Sequence, residues 1–120
     1  MGRIIPAATA GILVCLACDA GAAERFFMYN LTAATVFTGV QMAPAGTQDW
    51  NTQGWGANQA LNDKDKTVEA SERVEIKNVT HSQYDVRLTD SHGRACIVRG
   101  VDLTKDTSFA VRDSDLVNCK

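Results

Sequence analysis

Residues 84–103 read YDVRLTDSHGRACIVRGVDL, and this stretch decides the fold class. From Tyr84 to Leu88 every second residue is apolar and the residues between are charged, a pattern typical of a strand with one buried face. Residues 90–93, DSHG, favour a tight turn because Asp, Ser and Gly suit its backbone angles. The alternation then resumes in residues 94–103. The stretch therefore predicts a β-hairpin.

The same period of two recurs in residues 25–32, 35–43, 68–79 and 108–112. Six or seven short strands separated by turns predict an all-β protein, namely a small two-sheet sandwich of the Ig-like or C2-like kind with about seven strands. A small barrel fits the same spacing. An α+β domain would need a helix, and residues 58–65 (NQALNDKD) offer the only candidate, of at most two turns.

The alternation also predicts which side chains face inward. In residues 35–43 we expect Val40 and Phe37 on opposite faces of the strand, because they are three positions apart. Asp85 is expected on the outer face of its strand, where it would pair with Arg99 or Glu75 in a surface charge ladder. Such a ladder is a structural feature and not a site.

The chain has 120 residues, of which 45% are hydrophobic and 22% are charged. This length suits one domain and is too short for a doubly wound cofactor-binding fold, a barrel enzyme or a two-domain machine. The composition is ordinary for a globular protein, which argues against disorder, collagen and coiled coil. We predict a single β-sandwich domain over residues 24–120, preceded by a removable segment, residues 1–23.

Residues 1–23 have the three parts of a secretory signal peptide. Arg3 is their only cation, residues 4–18 are apolar and residues 20–23 are small. The apolar run is short for a bilayer span and no second run follows. We therefore predict a cleaved signal, a periplasmic or secreted protein and no stable membrane span in the mature chain. Leu16-Ala17-Cys18 also resembles the end of a bacterial lipoprotein signal, so anchoring through a lipidated Cys18 is the alternative.

The four cysteines divide between the two parts of the chain. Cys15 and Cys18 lie in the predicted signal, whereas Cys96 and Cys119 lie in the predicted domain. Two cysteines in an oxidising compartment most simply form one disulfide, which would stabilise a small domain by roughly 3 kcal/mol. A metal or redox pair is the alternative, but neither cysteine belongs to a C-x-x-C motif.

The charge pattern argues against nucleic acid as a partner. The chain carries 12 Lys and Arg against 14 Asp and Glu, a net charge of −2, and has no basic block. The partner class that remains is a protein or glycan of the cell envelope, and the sequence leaves the oligomeric state open.

Nucleophilic catalysis needs a nucleophile held beside a base. The two histidines each adjoin a serine, His81 beside Ser82 and His92 beside Ser91. Neighbouring residues in a strand point to opposite faces, so these pairs are not dyads. No G-x-S-x-G sequence occurs, and a small sandwich has little room for a deep cleft. We predict that the protein is not an enzyme and has no cofactor.

Metal binding has one candidate segment, residues 62–65, NDKD. Asp63 and Asp65 have the skip-one spacing that hard cations use, and Asp49 could add a third carboxylate. The segment lacks the glycine and the final bidentate Glu of a helix-loop-helix calcium loop. We predict no metal site, and Ca²⁺ at these aspartates is the alternative.

The best candidate for binding is the long irregular segment 44–66, which begins at Pro44 and ends at Lys66. Loops of this length in a compact domain are usually functional or disordered, and its tryptophans argue against disorder. Rings supply contact area and amides supply orientation, a mixture that suits a peptide or a carbohydrate. The alternative is that the rings close an open end of the sandwich as a lid. The predicted contact residues are Asp49, Trp50, Trp55, Asn58 and Gln59.

Four short motifs follow one another along the chain. They are Tyr29-Asn30-Leu31-Thr32, then Ala43-Pro44-Ala45-Gly46 with Asp49-Trp50, then Trp55-Gly56-Ala57-Asn58-Gln59-Ala60-Leu61, and Tyr84-Asp85-Val86-Arg87-Leu88. In this order they resemble a group of small, functionally uncharacterised exported bacterial proteins with the pattern Y-N-x-T, P-x-G-x-x-D-W, W-G-x-N-x-x-L and Y-D-V-R. The resemblance covers roughly residues 28–103 and implies export without implying an activity. Residues 51–54, NTQG, depart from the pattern, and Trp55 fits the tryptophan of the group better than Trp50.

These observations lead to one functional expectation and two alternatives. We expect an exported, non-catalytic binding or interaction module of the bacterial cell envelope, with the segment 44–66 as its contact surface. The first alternative is a structural or stress-related accessory protein without a small ligand. The second is a small secreted hydrolase or an inhibitor of one.

Overall fold

A computed structural model describes residues 24–49 and 53–120, and the predicted signal and Trp50 lie outside them. The described residues form an all-β protein with two small sheets, which confirms the predicted two-sheet sandwich. Among them are six strands, one fewer than the approximate number expected. The strands are β1 Phe26–Asn30, β2 Phe37–Pro44, β3 Arg73–Ile76, β4 Gln83–Asp90, β5 Ala95–Asp102 and β6 Ser108–Val111.

Each sheet has three strands. The first has the order β3-β1-β6, with β1 antiparallel to β3 and parallel to β6. The second has the order β2-β4-β5 and is antiparallel throughout. The predicted hairpin joins β4 to β5, and its turn is held by Asp90, whose Oδ1 accepts the main-chain N–H groups of His92 (2.8 Å) and Arg94 (3.0 Å). Residues 58–65 contain a short 3-10 helix, Gln59–Asn62, where at most two turns of helix were expected.

The hydrophobic core lies between the two sheets. Five of the six strands contribute buried side chains to it, and β5 is the exception. Val68 and Leu103 join it from the connections, and Ala60 joins it from the 3-10 helix. The strand residues of the core are Phe26, Met28, Phe37, Val40, Met42, Val74, Ile76, Val86, Leu88 and Val111.

The prediction for β2 was wrong at one position. Phe37 is 1% exposed and belongs to the core, together with Val40, although simple alternation places them on opposite faces. The pairing of β2 with β4 shifts by one residue between Phe37 and Gly39. Such a β-bulge turns the strand, so that side chains on both sides of the bulge point inward.

A buried asparagine gives the core a polar anchor. Asn30 is fully buried at the end of β1, and its Nδ2 donates to the main-chain oxygens of Thr35 (2.8 Å) and Val68 (2.9 Å). Its Oδ1 accepts the N–H (3.1 Å) and the hydroxyl (2.7 Å) of Thr32. Every bonding position of the amide is used, which is the condition for burying such a group at low cost. The Y-N-x-T motif therefore has a structural explanation.

The predicted disulfide joins Cys96 of β5 to Cys119, which confirms the pairing. Next to it the main chain of Ala95 exchanges two hydrogen bonds with Lys120, at 2.8 and 2.9 Å. The C-terminal tail, residues 112–120, is thereby fixed against the outer edge of β5. Among the described residues no helix is long and apolar enough to cross a membrane.

Candidate functional site

The segment 44–66 leaves β2 through a turn that is tied to β4. The N–H of Thr47 (3.2 Å) and its hydroxyl (2.6 Å) both donate to the carbonyl of Pro44. Gly46 has φ +82°, a backbone conformation that residues other than glycine adopt only with strain. Its N–H donates to the carboxylate of Asp85 at 2.9 Å. The start of the segment therefore has a fixed position on the sheet.

Asp85 is buried, and the prediction that it belongs to a surface ladder was wrong in this respect. The residue is 1% exposed because the turn after β2 and the side chain of Arg99 cover the outer face of the sheet there. Its partner Arg99 was among the two predicted, and the Nη1 of Arg99 donates to Asp85 Oδ2 at 2.8 Å. Gly100, at φ +67° in a β-bulge of β5, donates its N–H to Asp85 Oδ1 at 3.0 Å.

These contacts keep the Asp85 carboxylate charged. Burial by itself raises the pKa of Asp85, but the main-chain N–H groups of Gly46 and Gly100 and the guanidinium of Arg99 outweigh it, so that the pKa lies below the ordinary value. Arg99 Nη1 also donates to the main-chain oxygen of Gln48 at 2.5 Å. One buried charge thus joins the segment 44–66 to both β4 and β5.

Two polar atoms in the segment are buried without partners. Among the described residues, neither the indole Nε1 of Trp55 nor the Oε1 of Gln48 has a hydrogen bond. The side chain of Gln48 lies against Gly54, where a Cβ would come within 3.2 Å of its Nε2. Trp55 itself is half-buried. An unpaired buried donor and an unpaired buried acceptor therefore lie in one short stretch of the segment.

The part of the segment after Trp55 runs along the outer edge of β2. The N–H of Gly56 donates to Met42 O (3.1 Å), and Gln41 Nε2 donates to Gly56 O (3.1 Å). A Cβ at Gly56 would lie 2.9 Å from Met42 O, so this approach requires glycine. The backbone on which Trp55 stands is consequently fixed to the sheet.

Asn58 uses its side chain to close the edge of β2. Its Oδ1 accepts the N–H groups of Val40 (2.9 Å) and Ala60 (3.0 Å), and its Nδ2 donates to Thr38 O (3.0 Å). Main-chain groups of an edge strand need partners when water is excluded, and Asn58 supplies them. All these bonds are internal, so the amide of Asn58 is engaged by the protein itself.

Gln59 does the same for the end of β3. Its Oε1 accepts the N–H of Lys77 (3.0 Å) and its Nε2 donates to Lys77 O (2.9 Å), which imitates one rung of a β-ladder. Asn62 Nδ2 donates to Gln59 Oε1 (2.7 Å) and to Glu75 O (2.9 Å). The 3-10 helix therefore closes the side of the sandwich between β2 and β3.

The structure gathers Trp55, Asn58 and Gln59 along this side, whereas Asp49 is exposed at the other end of the segment. A groove of about 450 Å³ opens beside the segment, between the edge of β2 and the loop after β3. Its wall includes Met42, Gly56, Ala57, Gln59, Val79 and Tyr84. Of the predicted contact residues that the structure describes, Gln59 is the one that lines this groove, and it also bonds internally.

Neither histidine forms a dyad with its neighbouring serine in the described residues. His81 bonds Leu103 O through Nδ1 (2.7 Å) and the Glu24 carboxylate through Nε2 (2.6 Å), so both ring nitrogens are occupied. The Glu24 carboxylate raises the pKa of His81 above the ordinary value, and the bond to Leu103 O adds to this. His81 therefore holds the start of the described chain against the connection after β5.

The three described acids that lie close enough to share a cation are Asp63, Asp65 and Glu72, whose nearest carboxylate oxygens lie within 4.8 Å of one another. Glu72 takes the place that the sequence suggested for Asp49. The hydrogen bond that Asp63 shares with Asp65 raises the pKa of Asp63 and lowers that of Asp65. Exposed acids adopt such arrangements without a ligand, and nothing else in the described residues points to a metal at this position.

Sequence reasoning missed the pair formed by Asp85 and Arg99 as an organising element. The signal available was the glycine after Arg99, since Gly100 in an alternating strand suggests a bulge. It also did not indicate that part of the outer edge of β5 lacks a strand partner among the described residues. That feature depends on where the C-terminal tail lies.

No protein-family model, no curated protein and no solved structure matches this chain. The resemblance to the group of exported proteins stays a prediction.

Proposed function

We propose that the chain is an exported, non-catalytic binding module of the bacterial cell envelope, with the segment 44–66 as its contact surface. The signal-like residues 1–23 and the disulfide Cys96–Cys119 support a periplasmic or secreted location, because disulfides persist in oxidising compartments. The partner on this proposal is a protein or a glycan of the envelope.

The observation that carries the proposal is the pair of unpaired polar atoms in Gln48 and Trp55. Neither atom has a partner within the described protein, and a buried polar group left without any hydrogen bond costs about 1–3 kcal/mol. A ligand that brings one acceptor and one donor recovers this cost. Amides and sugar hydroxyls both offer such a combination, and an indole ring adds apolar contact area.

The test uses Trp55→Phe, which keeps an aromatic ring and removes the indole N–H. We expect the immobilised, disulfide-bonded protein to retain an envelope protein or purified cell-wall glycan from the producing bacterium, and the variant to lose most of that retention. One lost hydrogen bond to a buried group corresponds to roughly a tenfold weaker affinity. Retention is measured by quantitative mass spectrometry for proteins and by co-sedimentation for the glycan.

Tyr29→Phe is the matched control, because it also removes one polar hydrogen from a half-buried ring, but on the other sheet. It should bind as the wild type does. Equal retention by the wild type and Trp55→Phe would contradict the proposal, and so would the absence of any retained envelope component.

The structural alternative is also supported by a specific observation. The amides of Asn58 and Gln59 bond only to the protein itself, which is what a segment that closes the side of a sandwich requires. On this alternative Trp55→Phe changes the free energy of unfolding without changing any retention. Chemical denaturation of the same variant separates the two functions.

A further inference from the structure

The outer edge of β5 is only partly covered. Main-chain groups of Ala95 point away from β4, since both bond to Lys120. In an antiparallel strand every second residue points the same way, so the N–H and C=O of Ile97 also face outward. No other described strand pairs with β5 on this side.

This free edge has definite limits. The C-terminal tail occupies it at Ala95, and the β-bulge at Gly100 interrupts it at the other end. Cys96 is covered by Cys119, its disulfide partner, so that Ile97, Val98 and Arg99 remain between the tail and the bulge. Two whole sheets joining edge to edge would need a longer run, so a second copy of the chain is a poor occupant, whereas a short extended peptide has the right length.

A groove of about 570 Å³ runs beside the free edge. Ile97 and Arg99 form one wall, while Asp115 and Val117 of the C-terminal tail contribute to the other. Val117 is 58% exposed and offers an apolar surface, and the disulfide at Cys119 holds this wall in place. A strand placed here would meet main-chain groups on one side and side chains of the tail on the other.

The charges of the groove favour an acidic residue in the occupant. Arg99 binds Asp85 and Gln48 through Nη1 alone, and its Nε and Nη2 have no partner among the described residues. The other charged side chains that line the groove are Asp115, which accepts the N–H of Arg112 at 2.8 Å, and Lys120, and their opposite charges offset one another. The free donors of Arg99 are therefore available to a carboxylate, the partner that guanidinium groups bind best.

We propose that this groove binds a short extended peptide segment of a partner protein. The peptide adds as a strand beside Ile97, packs an apolar side chain on Val117 and places a carboxylate on Arg99. The surface is distinct from the segment 44–66, so this inference holds or fails separately from the proposed function.

The test begins with selection from a display library of short random peptides against the disulfide-bonded protein. We expect the enriched peptides to share an acidic residue next to apolar residues. Amide chemical shifts of the protein, recorded with a synthetic enriched peptide, should change at residues 97–99 and 115–118. The absence of enriched peptides, or shift changes confined to other residues, would overturn the proposal.

Main-chain pairing is tested on the peptide itself. Methylation of the amide nitrogens that face Ile97 should weaken binding at least about tenfold, because each methyl group removes a donor and blocks approach to the edge. Methylation of the alternate nitrogens, which face away, should weaken it less than about threefold. Equal effects of the two patterns would show that the peptide does not add as a strand.

The side-chain contacts are tested with matched changes. Replacing the glutamate of the peptide by glutamine should weaken binding several-fold and leave the fold of the protein untouched, unlike a change of Arg99, which also holds Asp85. Val117→Asp should weaken binding, whereas Leu61→Asp, at a similarly exposed position of the other side, should not. Amide chemical shifts at Ile97 that change with protein concentration in the absence of peptide would instead indicate self-association and overturn the proposal. Trp55→Phe should bind the peptide as the wild type does, which separates this groove from the segment 44–66.

Discussion

The two long sides of the sandwich are closed by different means. Between β2 and β3 the short helix Gln59–Asn62 lies along the opening, and side-chain amides bond the outward main-chain groups of both strands. Between β5 and β6 the C-terminal tail crosses the opening, bonds the main chain of Ala95 and is fixed by a disulfide. The first side is closed by side-chain amides, whereas the second is closed by the tail through one disulfide, two main-chain hydrogen bonds and the packing of Leu116, and part of β5 stays uncovered.

The largest effect is expected from removing the covalent link. The double variant Cys96→Ala/Cys119→Ala should lose about 3 kcal/mol of unfolding free energy, because the disulfide closes a loop with a sequence separation of 23 residues. In a domain of this size the melting temperature would fall by roughly 15 °C. Calorimetry of the variant and of the reduced wild type should give the same result. A melting temperature within a few degrees of the oxidised wild type would show that the tail is held mainly by other contacts.

On the amide-closed side, Asn58→Ala should cost about 2 to 3 kcal/mol. The change removes three hydrogen bonds: the part-buried ones from the N–H groups of Val40 and Ala60, and the exposed one to the carbonyl of Thr38. Urea denaturation measures the loss, and hydrogen exchange at the Val40 amide should become faster. Asn62→Ala serves as the control, since it removes only one part-buried and one exposed hydrogen bond, a loss that should cost about 1 kcal/mol. Similar losses for both variants would contradict the role given to Asn58.

Asp85 tests the junction between the segment 44–66 and β5. At pH 7 Asp85→Asn should cost about 2 kcal/mol, because the buried carboxylate bonds two main-chain N–H groups and Arg99. The pKa of Asp85 is lower in the folded protein than in the unfolded chain, so its stabilisation is complete above about pH 4 and is lost as the pH falls through the folded pKa. Denaturation curves at pH 7 and at successively lower pH should therefore show the gap between variant and wild type shrinking. A constant gap would mean that the charge of Asp85 contributes nothing.

The smallest effects are expected at the exposed apolar residues of the two sides. Leu61→Asp and Val117→Asp should each change the unfolding free energy by less than about 0.5 kcal/mol, because these side chains are 57% and 58% exposed. Thermal melts of both variants check this. If Val117→Asp alone lowered the free energy of unfolding by more than about 1 kcal/mol, the side chain of Val117 would have to pack against the sandwich instead of lying exposed.

The sequence predicted the elements that depend on local periodicity. Alternation and the DSHG turn were sufficient for the hairpin of β4 and β5, and the presence of two cysteines in the predicted domain was sufficient for the disulfide. The inward position of Phe37 was not predictable in this way, because a bulge shifts the pairing by one residue without changing the hydrophobic pattern.

The candidate site was harder to predict than the fold, for a different physical reason. An asparagine or glutamine in a loop looks the same in the sequence whether its side chain binds a ligand or bonds the main chain of a neighbouring strand. Asn58 and Gln59 bond main-chain groups that are 18 residues away in the sequence, so their role depends on the tertiary arrangement. The burial of Asp85 likewise depends on a turn that begins some 40 residues before it.

The parallel pairing of β1 with β6 has a consequence for how the chain assembles. Phe27 pairs with Ser108, so the central strand of the first sheet acquires its second neighbour from almost the far end of the chain. Contacts between such distant segments are slow to form, because a long loop must close before any pairing compensates for it. During synthesis from the N-terminus, β1 therefore has one edge unpaired until β6 emerges. Residues 108–119 complete both that sheet and the disulfide, so the two-sheet structure reaches its native pairing only after they are in place.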